Sequence, residues 1–150
     1  MKFILTKELG RLTRWLRLLG YDTVYFDSDD MKLIFVTAFN ESRIVITKRV
    51  KLTNMKHLKV VHVRGDLLKK QISEIKKKIR LRLSDKTLLT RCSECNEPVF
   101  KINKVSIRTL VPEYVFKTQK NFFQCPSCAK IFWKATHWDN AKEFAHEICS

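Results

Sequence analysis

Several features that would place this chain in a familiar class are absent from its sequence. No apolar run approaches the ~20 residues that a membrane-spanning helix needs. The amino terminus, Met-Lys-Phe-Ile-Leu-Thr-Lys, lacks the apolar core and the small-residue cleavage site of a secretion signal. No internal repeat is visible. These absences argue against a membrane protein and predict a cytoplasmic location.

Acidic residues are scarce, with 15 Asp and Glu against 30 Lys and Arg, so the net charge is +15. The excess is concentrated: residues 1–42 are neutral overall, residues 43–90 carry 15 basic and three acidic side chains, and residues 91–150 carry a net +3. A block of one sign repels itself unless a polyanion screens it, which favours RNA or DNA as a partner. An anionic membrane fits less well, because no basic segment has a continuous apolar face.

Short apolar runs alternate with helical patterns over residues 1–83, which predicts an α/β domain with a parallel sheet flanked by helices. The predicted strands cover residues 2–5, 23–26, 43–46 and 59–63. The predicted helices cover residues 8–19, 31–40, 50–57 and 67–83, with caps from Ser28-Asp29-Asp30 and from Asp66. Residues 84–90 are predicted to form a connector. Residues 91–150 are predicted to form a second domain of strands and turns that ends in a short helix over 139–148.

Four of the five cysteines form two CxxC pairs, Cys92/Cys95 and Cys125/Cys128. The two pairs are separated by 29 residues. Each CxxC turn holds two thiolates at the spacing of a tetrahedral zinc site, so the pairs predict a structural zinc ion in a zinc ribbon with strand arms over 99–105 and 114–123. A disulfide framework is the alternative, but it fits poorly in a cytosolic protein. A redox CxxC would explain only one pair. Cys149 has no partner by spacing.

Three segments resemble one known family: residues 2–26 (KFILTKELGRLTRWLRLLGYDTVYF), residues 43–52 (RIVITKRVKL) and residues 91–138, with their RCSECNEPV and FFQCPSCAKIFWKATHW strings. The chain resembles the Mut7-C RNase-domain family over nearly its whole length. The resemblance implies a PIN-like α/β domain followed by a zinc ribbon. It also implies metal-dependent RNA cleavage, with acids at the strand ends as ligands of Mg²⁺ or Mn²⁺.

The chain departs from that family pattern at two strand ends. Thr6 and Arg49 stand where the resemblance leads us to expect acids, while Asp29, Asp30 and Asp66 remain as candidate catalytic residues. Mg²⁺ needs only one or two carboxylates besides water, but a neighbouring Arg opposes the ion and competes for those carboxylates. Glu8 lies two residues after Thr6 and is a candidate to replace the acid missing there, but its position in the first helical turn, where the helix dipole favours an acid, explains it better. Helix capping is an equally good explanation for Asp29 and Asp66.

Cationic and aromatic side chains supply the predicted RNA-binding surface. Arginines recur every three residues on the first helix, opposite its leucines, and the last helix of the first domain is rich in lysine. If both lie near the strand ends, they form a cationic groove for phosphates, with aromatic residues to stack on bases. The predicted set is Lys7, Arg11, Arg14, Arg17, Lys48, Arg49, Lys69, Lys70, Lys76, Lys77, His137 and Trp138.

Two functions are therefore in competition. The first is a protein that binds structured RNA, such as ribosomal RNA or a ribonucleoprotein, and has little or no cleavage activity. The alternative is an active ribonuclease that depends on Mg²⁺ or Mn²⁺ and uses Asp29, Asp30 and Asp66. The missing acids and the gained Arg49 favour the first.

Overall fold

The computed structural model describes residues 1–82, 84, 86–134, 139, 142, 143 and 146. Its larger sheet has four parallel strands in the order β2-β1-β3-β4. These strands are β1 (Lys2–Thr6), β2 (Asp22–Phe26), β3 (Ile44–Thr47) and β4 (Val60–His62). The helices between and after them are α1 (Gly10–Leu18), α2 (Met31–Asn40) and α3 (Leu68–Lys78), with short 3-10 helices at Lys7–Leu9 and Val50–Asn54. The predicted α/β fold with a parallel sheet is confirmed.

Both faces of this sheet are buried, because alternate residues of each strand point to opposite sides. On one side Phe3 and Leu5 pack against the leucines of α1 and the isoleucines of α3. On the other side Ile4 and Val45 pack against Ile34 of α2. The sheet is therefore covered by helices on both faces, and its functional surface is left at the strand ends.

The helix α3 is shorter than the one predicted over residues 67–83. It ends at Lys78, because Ile79 adopts an extended conformation and the chain then buries Ile79 and Leu81 in the core while exposing Arg80 and Arg82. The predicted cap by Asp66 is also wrong. Leu67 occupies the N-cap position without a side-chain hydrogen bond. By contrast, Asp30 caps α2 as predicted, accepting hydrogen bonds from the backbone amides of Lys32 and Leu33.

The second part of the chain contains a three-stranded antiparallel sheet in the order β5-β6-β7, with β5 at Phe100–Ile102, β6 at Phe122–Gln124 and β7 at Ile131–Trp133. The predicted strand over 114–123 is wrong over most of its length, because Glu113–Thr118 forms a helix, α4. That helix places Val115 in a small core with Ile107 and Phe122. In the predicted C-terminal helix, the described residues 139, 142, 143 and 146 are helical, and the remainder of that prediction lies outside the described residues.

The segment between the two sheets packs against the end of α1. Leu88 is buried against Leu19, and the Leu89 amide donates a hydrogen bond to the Leu18 carbonyl at 2.8 Å. Gly20 has φ +89°, and a Cβ there would lie 2.2 Å from the Thr87 carbonyl oxygen. Glycine is required at this position both by the left-handed backbone and by the close approach of the two segments. In the described residues, no helix has the length and apolar character to cross a membrane.

Candidate functional site

At the carboxyl ends of β1 and β3, two threonines lie face to face. The Thr6 hydroxyl donates a hydrogen bond to the Thr47 Oγ1 atom at 3.0 Å, and both side chains are buried. Thr47 Oγ1 also accepts a hydrogen bond from the Arg49 amide at 2.9 Å. A carboxylate at position 6 would meet this hydroxyl instead of open solvent. The carboxyl ends of the central strands β1 and β3 therefore carry an uncharged pair of threonines whose hydroxyls are hydrogen-bonded within the protein.

Arg49 lies between two carboxylates beside that pair. Its Nε atom donates to the Glu8 carboxylate, and its terminal NH2 nitrogen lies 2.8 Å from Asp29 Oδ1. The second oxygen of Asp29 accepts a hydrogen bond from Lys7 Nζ at 2.6 Å. The Arg49 side chain is only 20% exposed, so its charge is held between the Glu8 and Asp29 carboxylates.

Lys48 neutralises the acid that follows β4. Its Nζ atom forms an ion pair with Asp66, whose side chain is 90% exposed. We refer to this group as the strand-end cluster: Lys7, Glu8, Asp29, Lys48, Arg49 and Asp66. Within it every carboxylate contacts a cation of the same chain.

The pKa values of these groups reflect the same pairing. The hydrogen bond from Lys7 lowers the pKa of Asp29, and the hydrogen bond from Lys48 lowers the pKa of Asp66. Burial acts to raise the pKa of Glu8, but its polar neighbours Thr6 and Arg49 lower it overall. Because these pKa values are lower than in an unfolded chain, the pairs stabilise the fold at neutral pH, and that contribution is lost as the pH falls through the lowered values.

The three acids predicted to be catalytic are not brought together. Asp29 and Asp66 each contact a cation, and Asp30 is the cap of α2. Over the described stretches of the chain, the four CxxC cysteines are the one group of three or more cysteine, histidine or acidic side chains whose ligand atoms lie close together. The structure therefore does not gather these acids into a metal site.

The four cysteines form a compact cluster that can bind a zinc ion. All four Sγ atoms lie within 4.8 Å of one another, and those of Cys92 and Cys128 are 3.7 Å apart. Sulfur atoms bound at ~2.3 Å to a tetrahedral zinc ion are about 3.8 Å apart. Burial raises the pKa of the Cys92 thiol to about 12 without a metal ion, so binding must displace a tightly held proton there.

The two CxxC turns, here called the first knuckle (residues 92–97) and the second knuckle (residues 125–130), have the same backbone hydrogen bonds. Asn96 N donates to Cys92 O and Ala129 N donates to Cys125 O, each at 3.0 Å. Asn96 and Ala129, the residues after each second cysteine, both have positive φ values, 67° and 59°. This repeated turn aims both pairs of sulfur atoms at one point.

The first knuckle is bound to the edge strand β2 by a buried arginine. Arg17 donates from NH1 to the carbonyls of Ser93 and Glu94, at 3.0 and 2.6 Å, and from Nε to the Thr23 carbonyl at 2.9 Å. Arg17 is only 8% exposed. The prediction that it lies on an exposed RNA-binding face is wrong, because the ribbon covers that side of α1.

Asn96 makes the matching contact from the knuckle. Its side chain accepts a hydrogen bond from the Thr23 amide and donates one to Asp22 Oδ1, both at 2.8 Å. Asp22 is in turn paired with the buried Arg43 at 2.8 Å. Sequence reasoning missed this polar link, since each contact joins segments that are far apart in the chain. The knuckle and Arg17 thereby satisfy the outer backbone groups of Thr23 on an edge strand.

Comparison with known proteins places the whole arrangement in one family. The family model of the Mut7-C RNAse domain matches residues 1–145. The chain belongs to the Mut7-C RNAse domain family. No curated protein and no solved structure matched. Membership connects this chain to RNA, as a substrate or a partner. At the two strand ends where the resemblance led us to expect acids, the structure has the Thr6–Thr47 hydrogen bond and the Arg49 ion pairs.

The other predicted RNA-binding residues of this Mut7-C chain lie in two groups. Arg11 and Arg14 are exposed on α1 and line a cavity of about 750 Å³ beside the first knuckle. Lys69 and Lys70 are exposed at the start of α3, where the Lys70 charge helps to lower the pKa of Asp66 after the larger effect of Lys48. Further along α3, Lys77 is exposed and Lys76 is half-buried. His137 and Trp138 lie outside the described residues.

Replacing Arg49 by aspartate is expected to create a weak Mn²⁺ site at the strand-end cluster. The new carboxylate would join those of Glu8 and Asp29, which Arg49 now neutralises, and two or three carboxylates suffice for a hard cation. Without metal, the repulsion among the three acids should lower the melting temperature, and millimolar Mn²⁺ should restore it.

The matched control for this variant is Lys51→Asp, which makes the same charge change at an exposed position two residues away. It should bind no Mn²⁺ and show no metal-dependent change in melting temperature. Electron paramagnetic resonance counts bound Mn²⁺ directly. Equal Mn²⁺ binding by the two variants would show that Arg49 does not occupy a cation position.

Proposed function

We propose that this chain binds structured RNA through its cationic surface and cleaves it weakly or not at all. The observation that carries the proposal is the position of Arg49 between Glu8 and Asp29. In a metal-dependent nuclease, divalent ions bridge carboxylates, the scissile phosphate and a water molecule. Here a guanidinium already neutralises those carboxylates, and it is able to contact a phosphate directly.

Charge supports RNA as the ligand. Residues 43–90 hold 15 of the 30 basic side chains and only three acids, and the exposed lysines of α3 belong to this block. Cations of this kind bind phosphates with little sequence preference, which suits ribosomal RNA or a ribonucleoprotein in the cytoplasm. In this proposal the zinc ion holds the ribbon against the sheet and takes no part in chemistry, because four thiolates leave no open coordination position.

RNA affinity is expected to fall steeply with salt. About four to six phosphate contacts give a slope of about −3 to −5 for the logarithm of the association constant against that of the salt concentration. Fluorescence anisotropy with a labelled RNA hairpin in a KCl series measures this slope. Affinity independent of KCl would contradict binding through phosphates.

The same hairpin tests cleavage when it is incubated with protein and Mg²⁺ or Mn²⁺. The RNA is expected to remain intact, both with the native chain and with the triple variant Asp29→Ala/Asp30→Ala/Asp66→Ala. Metal-dependent cutting by the native chain that disappears in the triple variant would instead establish a ribonuclease.

That ribonuclease is the second candidate function. Family membership favours it, and so does the exposure of the ion pairs: the side chains of Asp29 and Asp66 are 69% and 90% exposed. Exposed pairs of this kind contribute little free energy, so a metal ion and RNA would have little to displace at Asp66. Arg49, which is largely buried, would still have to move away from Asp29.

A further inference from the structure

A cleft lies between α1 and the first knuckle, beside the strand-end cluster. Its volume is about 750 Å³, within the range of pockets that hold small ligands. Its walls contain exposed cations, an acid and one aromatic ring. The lining residues are Gly10, Arg11, Thr13, Arg14, Arg17, Tyr25 and Glu94.

Two arginines give this cleft its charge. Arg11 is exposed, and its side chain forms no ion pair or hydrogen bond in the part of the chain that the structure describes. Arg14 lies 3.3 Å from the Glu94 carboxylate across the mouth of the cleft, with 64% and 39% of the two side chains exposed. Such an exposed pair is weak, so a phosphate is able to replace Glu94 as the partner of Arg14.

Tyr25 supplies an aromatic wall. Its ring lies against the start of α1, where a Cβ on Gly10 would be 3.7 Å from the ring, and 38% of the residue remains exposed. The Tyr25 hydroxyl donates a hydrogen bond to the Lys7 carbonyl at 2.9 Å. This bond fixes the ring and places the cleft next to Lys7, which belongs to the strand-end cluster.

We infer that this cleft binds one unpaired nucleotide of the RNA, with its base stacked on Tyr25 and the adjoining phosphates on Arg11 and Arg14. The inference rests on the proposed function and specifies that this surface binds unpaired RNA. A base in a duplex has both faces covered by its neighbours, whereas an unpaired base is free to stack on an aromatic ring. A strand that leaves the cleft past Lys7 reaches the cations of the strand-end cluster.

The test compares a short, labelled, adenine-rich single strand with the same strand annealed to its complement, using the zinc-loaded full chain. Tyr25→Leu is expected to weaken binding of the single strand about 5- to 150-fold, the range for loss of one stacked base, and to leave duplex binding unchanged. Tyr25→Phe keeps the ring but loses the hydroxyl's hydrogen bond to Lys7, and should bind the single strand nearly as well as the native chain does. Zinc content and melting temperature show whether each variant is folded.

Charge variants give a second measurement that does not depend on Tyr25. Arg11→Gln should reduce the salt slope by about one for the single strand. The control, Lys2→Gln, removes one charge from an exposed side chain at the opposite end of β1 and should leave the slope unchanged. Glu94→Gln should tighten single-strand binding about two- to fivefold, because it frees Arg14 for phosphate.

The outcomes distinguish failure of the nucleotide site in the cleft from failure of the proposed RNA-binding function. If the native chain binds RNA but Tyr25→Leu and Arg11→Gln bind the single strand equally well, the cleft is not a nucleotide site and the proposed function stands. If the native chain binds neither RNA, the proposed function fails and the cleft fails with it. Selective loss of single-strand binding in Tyr25→Leu supports both.

Discussion

Replacing Cys92 by serine is expected to abolish zinc binding and unfold the ribbon. Cys92 is fully buried, and the cluster that it completes is the meeting point of the two knuckles. The core available without zinc is small, with Ile107, Val115 and Phe122 as its buried members. In zinc-finger peptides, metal binding contributes about 10–16 kcal/mol at neutral pH, and that free energy is folding free energy. The variant has no other contribution of comparable size to the folding free energy of the ribbon.

This expectation is checked by metal analysis and by amide NMR of the purified protein. The native chain should contain one zinc ion, and the variant none. Signals of β5 to β7 should collapse to unfolded positions while those of β1, β3 and β4 persist. Cys149→Ser is the matched control, because Cys149 belongs to no CxxC pair and its replacement should change neither zinc content nor spectrum. A zinc-free variant with a folded ribbon would contradict a structural role for the metal.

Replacing Arg17 by methionine is expected to lower the free energy of unfolding by about 3–5 kcal/mol. The guanidinium is the donor to three backbone carbonyls, those of Thr23, Ser93 and Glu94, and methionine offers none. These acceptors lie at a packed junction where water replaces the lost hydrogen bonds only if the knuckle moves away. We therefore expect the ribbon to detach from β2 while its zinc site remains intact.

Chemical denaturation measures the lost stability, and hydrogen exchange locates it. Faster exchange is expected at Thr23 and Asn96, whose amide and side chain are joined across the junction. Arg14→Met is the matched control on the same helix, since Arg14 is largely exposed and has a single weak ion pair. It should cost less than about 1 kcal/mol. Equal losses for the two variants would show that the buried contacts of Arg17 do not hold the ribbon.

Much of the fold was predictable because its signals are local. Apolar runs of four or five residues separated by helical patterns predicted the four parallel strands and their flanking helices, and two CxxC pairs predicted the cysteine cluster. The errors fell where local preference and tertiary packing disagree. Residues 79–82 continue a helical pattern in sequence. In the structure the chain is extended from Ile79, and in this conformation both Ile79 and Leu81 are buried in the core. Residues 114–118 are rich in strand-forming residues, yet they form a helix over Ile107.

The sequence by itself determined the four parallel strands, the cysteine cluster and the identity of the residues at each strand end, because all three depend on residue type and short-range spacing. Only the tertiary structure decided what those residues contact. Arg14 and Arg17 have the same periodic relation to the leucines of α1, but Arg17 is buried against carbonyls of the first knuckle, 76 and 77 residues away. Arg49 was recognisable in the sequence as a cation at a strand end where the resemblance led us to expect an acid. Its location between Glu8 and Asp29, 41 and 20 positions distant, depends on the parallel strands bringing their carboxyl ends together.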